Sequence, residues 1–157
     1  MGALRVESFG RTSERSWNSI AARIDEIEND CFGAGAFAPD ELRRAFNAPR
    51  NLAVLLWDGD LLIGYTQAEP RRGGTYYIAN TAIAKRHQGR GLVQLLMQRL
   101  YADVRAEGGR FIERDAAIAN GYADAVLRAH AADVLETFDH DSEYGPQRFI
   151  RMRVPPP

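Results

Sequence analysis

The sequence predicts an α+β (α/β) domain: a mixed, mostly antiparallel central sheet of about seven strands, carrying about four helices. Three observations lead there. Between Asn51 and Ile83, three apolar or aromatic runs follow one another with only short turns between them, the pattern of an antiparallel meander. The third run stops at a basic, glycine-containing turn, Lys85-Arg86-His87-Gln88-Gly89-Arg90-Gly91, and an amphipathic stretch of helical period begins at once. A further strand-like run, Arg110 to Ala116, follows that helix. Reaching a strand through a helix implies parallel pairing.

Taken in order, Leu4-Arg5-Val6-Glu7-Ser8-Phe9 alternates as a short strand does. Ser13, followed by Glu14, suits a helix cap, and Trp17, Ile20, Ala21, Ile24 and Ile27 then recur on one helical face. Gly33-Ala34-Gly35 breaks that helix. Pro39-Asp40-Glu41 suits the first turn of a second one, bearing Leu42 and Phe46 and ending before Pro49. Asp58-Gly59-Asp60 joins the first two arms of the meander, a strong hairpin signal. The second arm runs to Glu69, and Pro70 to Gly74 reads as a turn. Leu92, Leu95, Leu96, Leu100 and Val104 trace the helix after the glycine turn, and Gly108-Gly109 closes it. Gly121 to His130 reads as a short helix. Val134 to His140 and Gln147 to Val154 read as a closing strand pair around a loop from Asp141 to Pro146. Residues 1–154 are expected to form one domain, and Pro155-Pro156-Pro157 a tail.

Composition narrows the function classes. At 157 residues the chain has the size of one domain with one core. Its net charge of −1 gives no overall pull towards nucleic acid or an anionic membrane. A single cysteine, Cys31, excludes an internal disulfide, and His87, His130 and His140 lack metal-ligand spacing, so no metal is expected. No apolar run approaches the ~20 residues of a membrane span, and the first residues lack the apolar core of a signal peptide. A cytoplasmic protein is the expectation.

The glycine turn carries the chemistry. Two glycines let a ligand approach the backbone without a Cβ in the way, and the helix N-terminus behind them offers unpaired N–H groups and a positive dipole end. Together they suit a phosphate. The alternative is a strand-to-helix turn that binds nothing.

The order of elements resembles that of the GNAT family of acyl-CoA-dependent N-acyltransferases over nearly the whole chain. The sharpest part of the resemblance is the family's coenzyme A signature, Gln/Arg-x-x-Gly-x-Gly/Ala. Arg86-His87-Gln88-Gly89-Arg90-Gly91 fits its letters. Gln88-Gly89-Arg90-Gly91-Leu92-Val93 fits at Gln88 and Gly91, has Val93 at the last position, and agrees better with an apolar strand residue, Ile83, five positions before Gln88. The resemblance implies acetyl-CoA as co-substrate, held by Gln88, Gly89, Arg90, Gly91, Leu92 and Val93. The strand end at Ile83 and Ala84 would supply backbone donors for the oxyanion. Asp115 and Asn120 match a further family spacing, with Asn120 reaching the pantetheine arm; a helix cap accounts for Asn120 equally well. The pattern breaks at Leu127, where many members place a tyrosine that protonates the leaving thiolate. Tyr122 and Tyr144 are the candidate substitutes.

The reaction so implied is direct attack of an amine on a thioester. An alkylammonium, of pKa ~10.4, must first lose a proton to a base. Asp115 and Glu113 are the nearest carboxylates by sequence, on the opposite strand face from Arg114; a solvated or ion-paired charge explains them as well. Arg86 and Arg90 flank the turn and suit phosphates. Cys31, beside Phe32 and with no His near it in sequence, is no expected nucleophile. Glu136, Asp139, Asp141 and Glu143 suggest an acidic rim that favours a cationic acceptor, a primary amine of a small molecule or peptide; a charged hairpin tip explains the same residues. The resemblance also allows a homodimer. A catalytically silent acyl-CoA-binding or sensory protein of the same fold is the alternative, and a nucleotide binder of another kind lacks the Gly-Lys-Ser/Thr that would go with it.

Overall fold

The structure is a computed structural model and describes residues 2–10 and 15–157. Seven strands are present among them: β1 Leu4–Phe9, β2 Leu52–Asp58, β3 Leu61–Arg71, β4 Thr75–Ile83, β5 Phe111–Ala117, β6 Val134–Ser142 and β7 Gly145–Arg153. The α-helices are α1 Trp17–Phe32, α2 Pro39–Asn47, α3 Val93–Ala106 and α4 Tyr122–Ala129. They build one mixed sheet in the order β1-β2-β3-β4-β5-β7-β6. Only β4 and β5 run parallel, as a helix crossover requires. The cap expected at Ser13 lies outside the described residues. No helix among those described is long and apolar enough to cross a membrane.

The continuous apolar run of β2 has a simple cause: both faces of the sheet are covered there. Leu52, Val54 and Leu56 lie in one core with Leu96, Leu100 and Val104 of α3. Ala53, Leu55 and Trp57 lie in a second core with Ile20, Ile24 and Ile27 of α1 and Leu42 and Phe46 of α2. A third, smaller cluster holds α4 to the sheet through Ala116, Ala123, Val126 and Ile150.

Two connections differ from the sequence expectation. β3 continues through Pro70 to Arg71, pairing Pro70 with Tyr76, so the turn shrinks to Arg72–Gly74. Pairing with β2 ends at Ala68, so Pro70 stands where β3 has a neighbour on one side only, a place a strand proline tolerates. The β6–β7 connection is a tight turn at Glu143-Tyr144 rather than a six-residue loop, since Asp141 pairs with Pro146 and Ser142 with Gly145. Ser142 Oγ fastens it, donating to the Gly145 carbonyl at 2.9 Å and accepting from the Tyr144 N–H at 3.1 Å.

What positions the site is a fork in the sheet. β4 and β5 are paired only from Thr75–Phe111 to Tyr77–Glu113. Immediately beyond, β4 carries a bulge: Ala68 pairs with Ile78 but Gln67 with Asn80, leaving Ala79 as the extra residue. A bulge bends its strand and strengthens its twist. Ile78–Ile83 of β4 and Arg114–Ala117 of β5 therefore diverge as the two prongs.

Candidate active site

A cleft of about 1090 Å3 fills the fork and extends to the N-terminus of α3. At its far end stands the glycine turn. Ala84 donates its N–H to the Ile63 carbonyl at 2.8 Å, so that donor is engaged within the sheet and is not the oxyanion donor the sequence suggested. Because successive residues of a strand address opposite edges, the Ile83 N–H points instead to the edge that β5 has left. The Ile83 carbonyl on that edge accepts from Gln88 Nε2 at 2.9 Å and from Cys31 Sγ at 3.2 Å. Gln88 thus staples the turn to the strand end. Cys31 is a packed donor whose pKa is pushed up by burial, then by Glu28 and Asp30, which agrees with its having no nucleophilic role.

Gly89 and Gly91 both have positive φ, +79° and +69°, with open space where a Cβ would stand. This conformation comes at little steric cost only to glycine. Alternating left- and right-handed residues turn successive N–H groups inward as an anion nest. Among the described residues no backbone carbonyl is recorded as taking the N–H of Gly89, Gly91, Leu92 or Val93, and all four residues line the cleft. Leu92 turns its buried side chain into the α3 core and offers only backbone. Arg90 does not line the cleft; its guanidinium contacts His87 Nδ1 at 3.2 Å. The donor set, an open nest on a helix N-terminus, fits a pyrophosphate.

The walls hold groups that the sequence pattern did not reveal. Glu28 of α1 is 1 % exposed. It accepts from Tyr65 OH and Asn80 Nδ2, each at 2.5 Å, and from the Phe37 N–H at 3.0 Å. Burial, then the hydrogen bond to Glu28, drives the Tyr65 pKa far up, so Tyr65 is a donor at any ordinary pH. Glu28 falls on the buried stripe of α1 with Ile20, Ile24 and Ile27. A carboxylate inside an apolar stripe is the signal by which it was findable.

Asp115 lies near the fork's apex with both oxygens engaged: Oδ2 accepts from Tyr77 OH at 2.5 Å, and Oδ1 lies 2.7 Å from His140 Nε2. The pKa of His140 is raised, chiefly by that bond to Asp115. Asn120 takes the Tyr122 N–H on its Oδ1 at 3.0 Å, so a capping role is present at the start of α4; it also lines the cleft. Tyr122 and Tyr144 both line the cleft. Tyr122 belongs to α4 beside Arg114. Tyr144 stands at the β6–β7 turn against Gly35, where a Cβ would lie 3.1 Å from its ring. Asp115 is on β5, Asn120 and Tyr122 at the start of α4, Glu28 on α1 and Tyr144 at the β6–β7 turn, and all five line the same cleft.

The acidic rim is elsewhere than expected. Glu136, Asp139, Asp141 and Glu143 do not line the cleft. Asp139 instead grips Arg148 through two bonds of 2.6 and 3.1 Å, which hold its pKa down. The cleft's carboxylates are Glu28, Glu41, Glu69 and Asp115. No group of three His, Cys, Asp or Glu is placed to hold a metal ion among the described residues.

A family model described as "Acetyltransferase (GNAT) family" matches residues 21–130, which span the Glu28 wall, the fork and the glycine turn. The chain belongs to the GNAT acetyltransferase family. Acyl transfer from a coenzyme A thioester is the activity that membership carries. No curated protein sequence matches the chain significantly. Solved structures share the fold at low identity. The ribosomal-protein-S18-alanine N-acetyltransferase of Escherichia coli superposes with a TM-score of 0.77 at 12 % identity, covering 99 % of this chain and 96 % of that one. A putative acetyltransferase of Salmonella typhimurium, solved with its cofactor acetyl-CoA, gives 0.73 at 14 %, covering 98 % and 95 %. A spermidine N-acetyltransferase of Vibrio cholerae gives 0.71 at 15 %, covering 96 % and 94 %. Within this GNAT chain Leu127 is packed with the α4 cluster, off the cleft, so position 127 supplies no acid.

Proposed function

We propose that the protein transfers an acetyl group from acetyl-CoA to a primary amine of a small molecule or peptide by direct attack. The observation that carries this reading is the cleft itself. It joins an anion nest at Gly89–Val93 to a buried carboxylate, Glu28, and is lined by four carboxylates against His87 and Arg114. The first end suits a pyrophosphate and the second a cationic amine. The related structures include a spermidine N-acetyltransferase and an aminoglycoside 6'-N-acetyltransferase, in keeping with an amine acceptor here.

In this reading the N–H groups of Gly89, Gly91, Leu92 and Val93 hold the pyrophosphate and Asn120 faces the pantetheine arm. The thioester lies towards the apex of the fork with its carbonyl facing the open edge of β4, and the Ile83 N–H, at the far end of that edge, faces the pantetheine arm. Glu28, aligned by Tyr65 and Asn80, takes the ammonium proton directly or through water. The amine then attacks the carbonyl carbon; the C–N bond forms, the nitrogen gives its second proton to solvent water, and the C–S bond breaks with its electron pair on sulfur. Asp115, held by Tyr77 and His140, fixes the geometry of the prong, and Tyr144 covers the acceptor side. The silent-binder alternative finds no support, because it rested on Leu127, and the chain's family is one of transferases. A homodimer is part of the proposal: β6 is a sheet edge that leaves Leu135 and Phe138 exposed, and sedimentation of the full chain tests it, a monomer removing that part.

The test is calorimetry of the full chain with acetyl-CoA and CoA, then thiol release against a panel of polyamine, aminoglycoside and peptide amines. Binding with thiol release from at least one amine is expected. Binding with no release from any amine would overturn the transfer, and no binding would overturn the whole reading.

A further inference from the structure

Arg114 is the first residue of β5 beyond its last pair with β4, so it stands at the apex of the fork. Its side chain faces α3 and α4. There Nη2 donates to Tyr101 OH at 2.6 Å, and the guanidinium also touches Met97 Sδ at 4.0 Å and Met152 Sδ at 3.7 Å. It is 3 % exposed, the one buried cation among the described residues, and its Nε has no hydrogen-bond partner. No carboxylate is recorded in contact with it among the described residues. Its sequence neighbours turn to the other face, Glu113 to Arg151 at 2.7 Å and Asp115 to Tyr77 and His140. Burial lowers its pKa, but the Tyr101 and Tyr122 hydroxyls outweigh that, so it stays charged. A buried charge served only by hydroxyl and thioether groups is expensive to maintain. Yet this one lines the cleft, so its counter-charge can arrive with a ligand.

The anion's place identifies it. The phosphates belong at the nest, beyond Ile83 at the far end of the prong. From Ile78 to Ile83 the strand advances roughly 17 Å at ~3.4 Å per residue, room for an extended arm between nest and apex. The group of coenzyme A that reaches the apex is its sulfur.

We propose that Arg114, with the Tyr122 hydroxyl beside it, binds the leaving coenzyme A sulfur as a thiolate, so that C–S cleavage needs no proton donor at position 127. The inference rests on the acetyl-CoA reading above. When the tetrahedral adduct collapses, the C–S electron pair leaves on sulfur and the carbonyl re-forms. Of the two protons the ammonium loses, the first goes to Glu28 before attack and the second, lost from the nitrogen of the adduct, goes to solvent water. Arg114 stays protonated throughout and gives up none. This makes Arg114 a catalytic residue, and Leu127 no longer a gap in the machinery.

The test reads the ionisation of the bound thiol. The ultraviolet absorbance of the thiolate is titrated with CoA bound to the wild-type chain, Arg114→Met and Tyr122→Phe, using desulfo-CoA complexes as blanks. A free alkyl thiol ionises near ~8.5, and the wild-type complex is expected at least about tenfold more acidic than free CoA. Arg114→Met should return the thiol to the free value or above it, and Tyr122→Phe should give a smaller rise. An unshifted or raised pKa in the wild-type complex would overturn the proposal, even where Arg114→Met does not fold. CoA binding with an unshifted thiol would sink this inference alone, whereas no CoA binding in calorimetry would sink the acetyl-CoA reading with it.

Discussion

Glu28 carries one sharp expectation at the scale of the residue. Glu28→Gln keeps the shape and leaves Tyr65 and Asn80 an oxygen to donate to, but removes the group that takes a proton. The turnover number should fall about 10²-fold or more, while acetyl-CoA affinity stays within about twofold; steady-state kinetics with calorimetry checks both. An unchanged turnover would transfer the base role to Asp115. His140 carries a second expectation. Its folded pKa is raised by Asp115, so the bond's contribution to stability is fully present below the unfolded value near ~6.5 and is lost as pH rises through the folded pKa. Chemical denaturation of wild-type and His140→Gln at several pH values should show the largest gap on the acid side, closing as pH rises through the raised folded pKa. A gap that grows with pH would contradict the Asp115–His140 pairing.

Elements divide into those whose cause is local and those whose cause is not. α3 is fastened by Leu96, Leu100 and Val104, all fully buried, so its helical spacing was open to reading from the sequence. Leu100→Ala should cost about 2–5 kcal/mol, measured as a loss of unfolding free energy in urea; a loss below about 1 kcal/mol would mean that α3 is not seated as described. The Asp58-Gly59 hairpin and the Gly89/Gly91 turn were equally legible, because a hairpin turn and a positive φ select residue types directly. The run through Pro70 was not, since a proline's tolerance depended on where β2 ended. Nor was the tight β6–β7 turn, which Ser142 fastens with its own side chain. Least legible was the Glu28 cluster, which joins α1 to β3 and β4 across 37 and 52 residues of chain. Asp115 was named from the sequence as a candidate carboxylate, but its partners Tyr77 and His140 depend on strand order and register, which local pattern does not encode.

The whole molecule is a sheet whose failure to stay paired makes its function. Three residue pairs hold β4 to β5, and past them the cleft opens between the two strands. One face contributes Glu28 from α1; the other contributes the nest at α3 and Arg114 beneath α3 and α4. Donor and acceptor are thus expected to meet in the fork. Gly91 tests that arrangement most directly, because a Cβ there meets nothing within 4 Å. In Gly91→Glu the new carboxylate would occupy the cleft rather than the core, facing the N–H groups intended for phosphate. Calorimetric titration of acetyl-CoA into wild-type and Gly91→Glu chains, with circular dichroism of both, is the decisive measurement. Saturable binding by the wild type and none by a folded Gly91→Glu is the expected result. Equal binding by both chains, or none by the wild type, would contradict the placement of the donor at this turn.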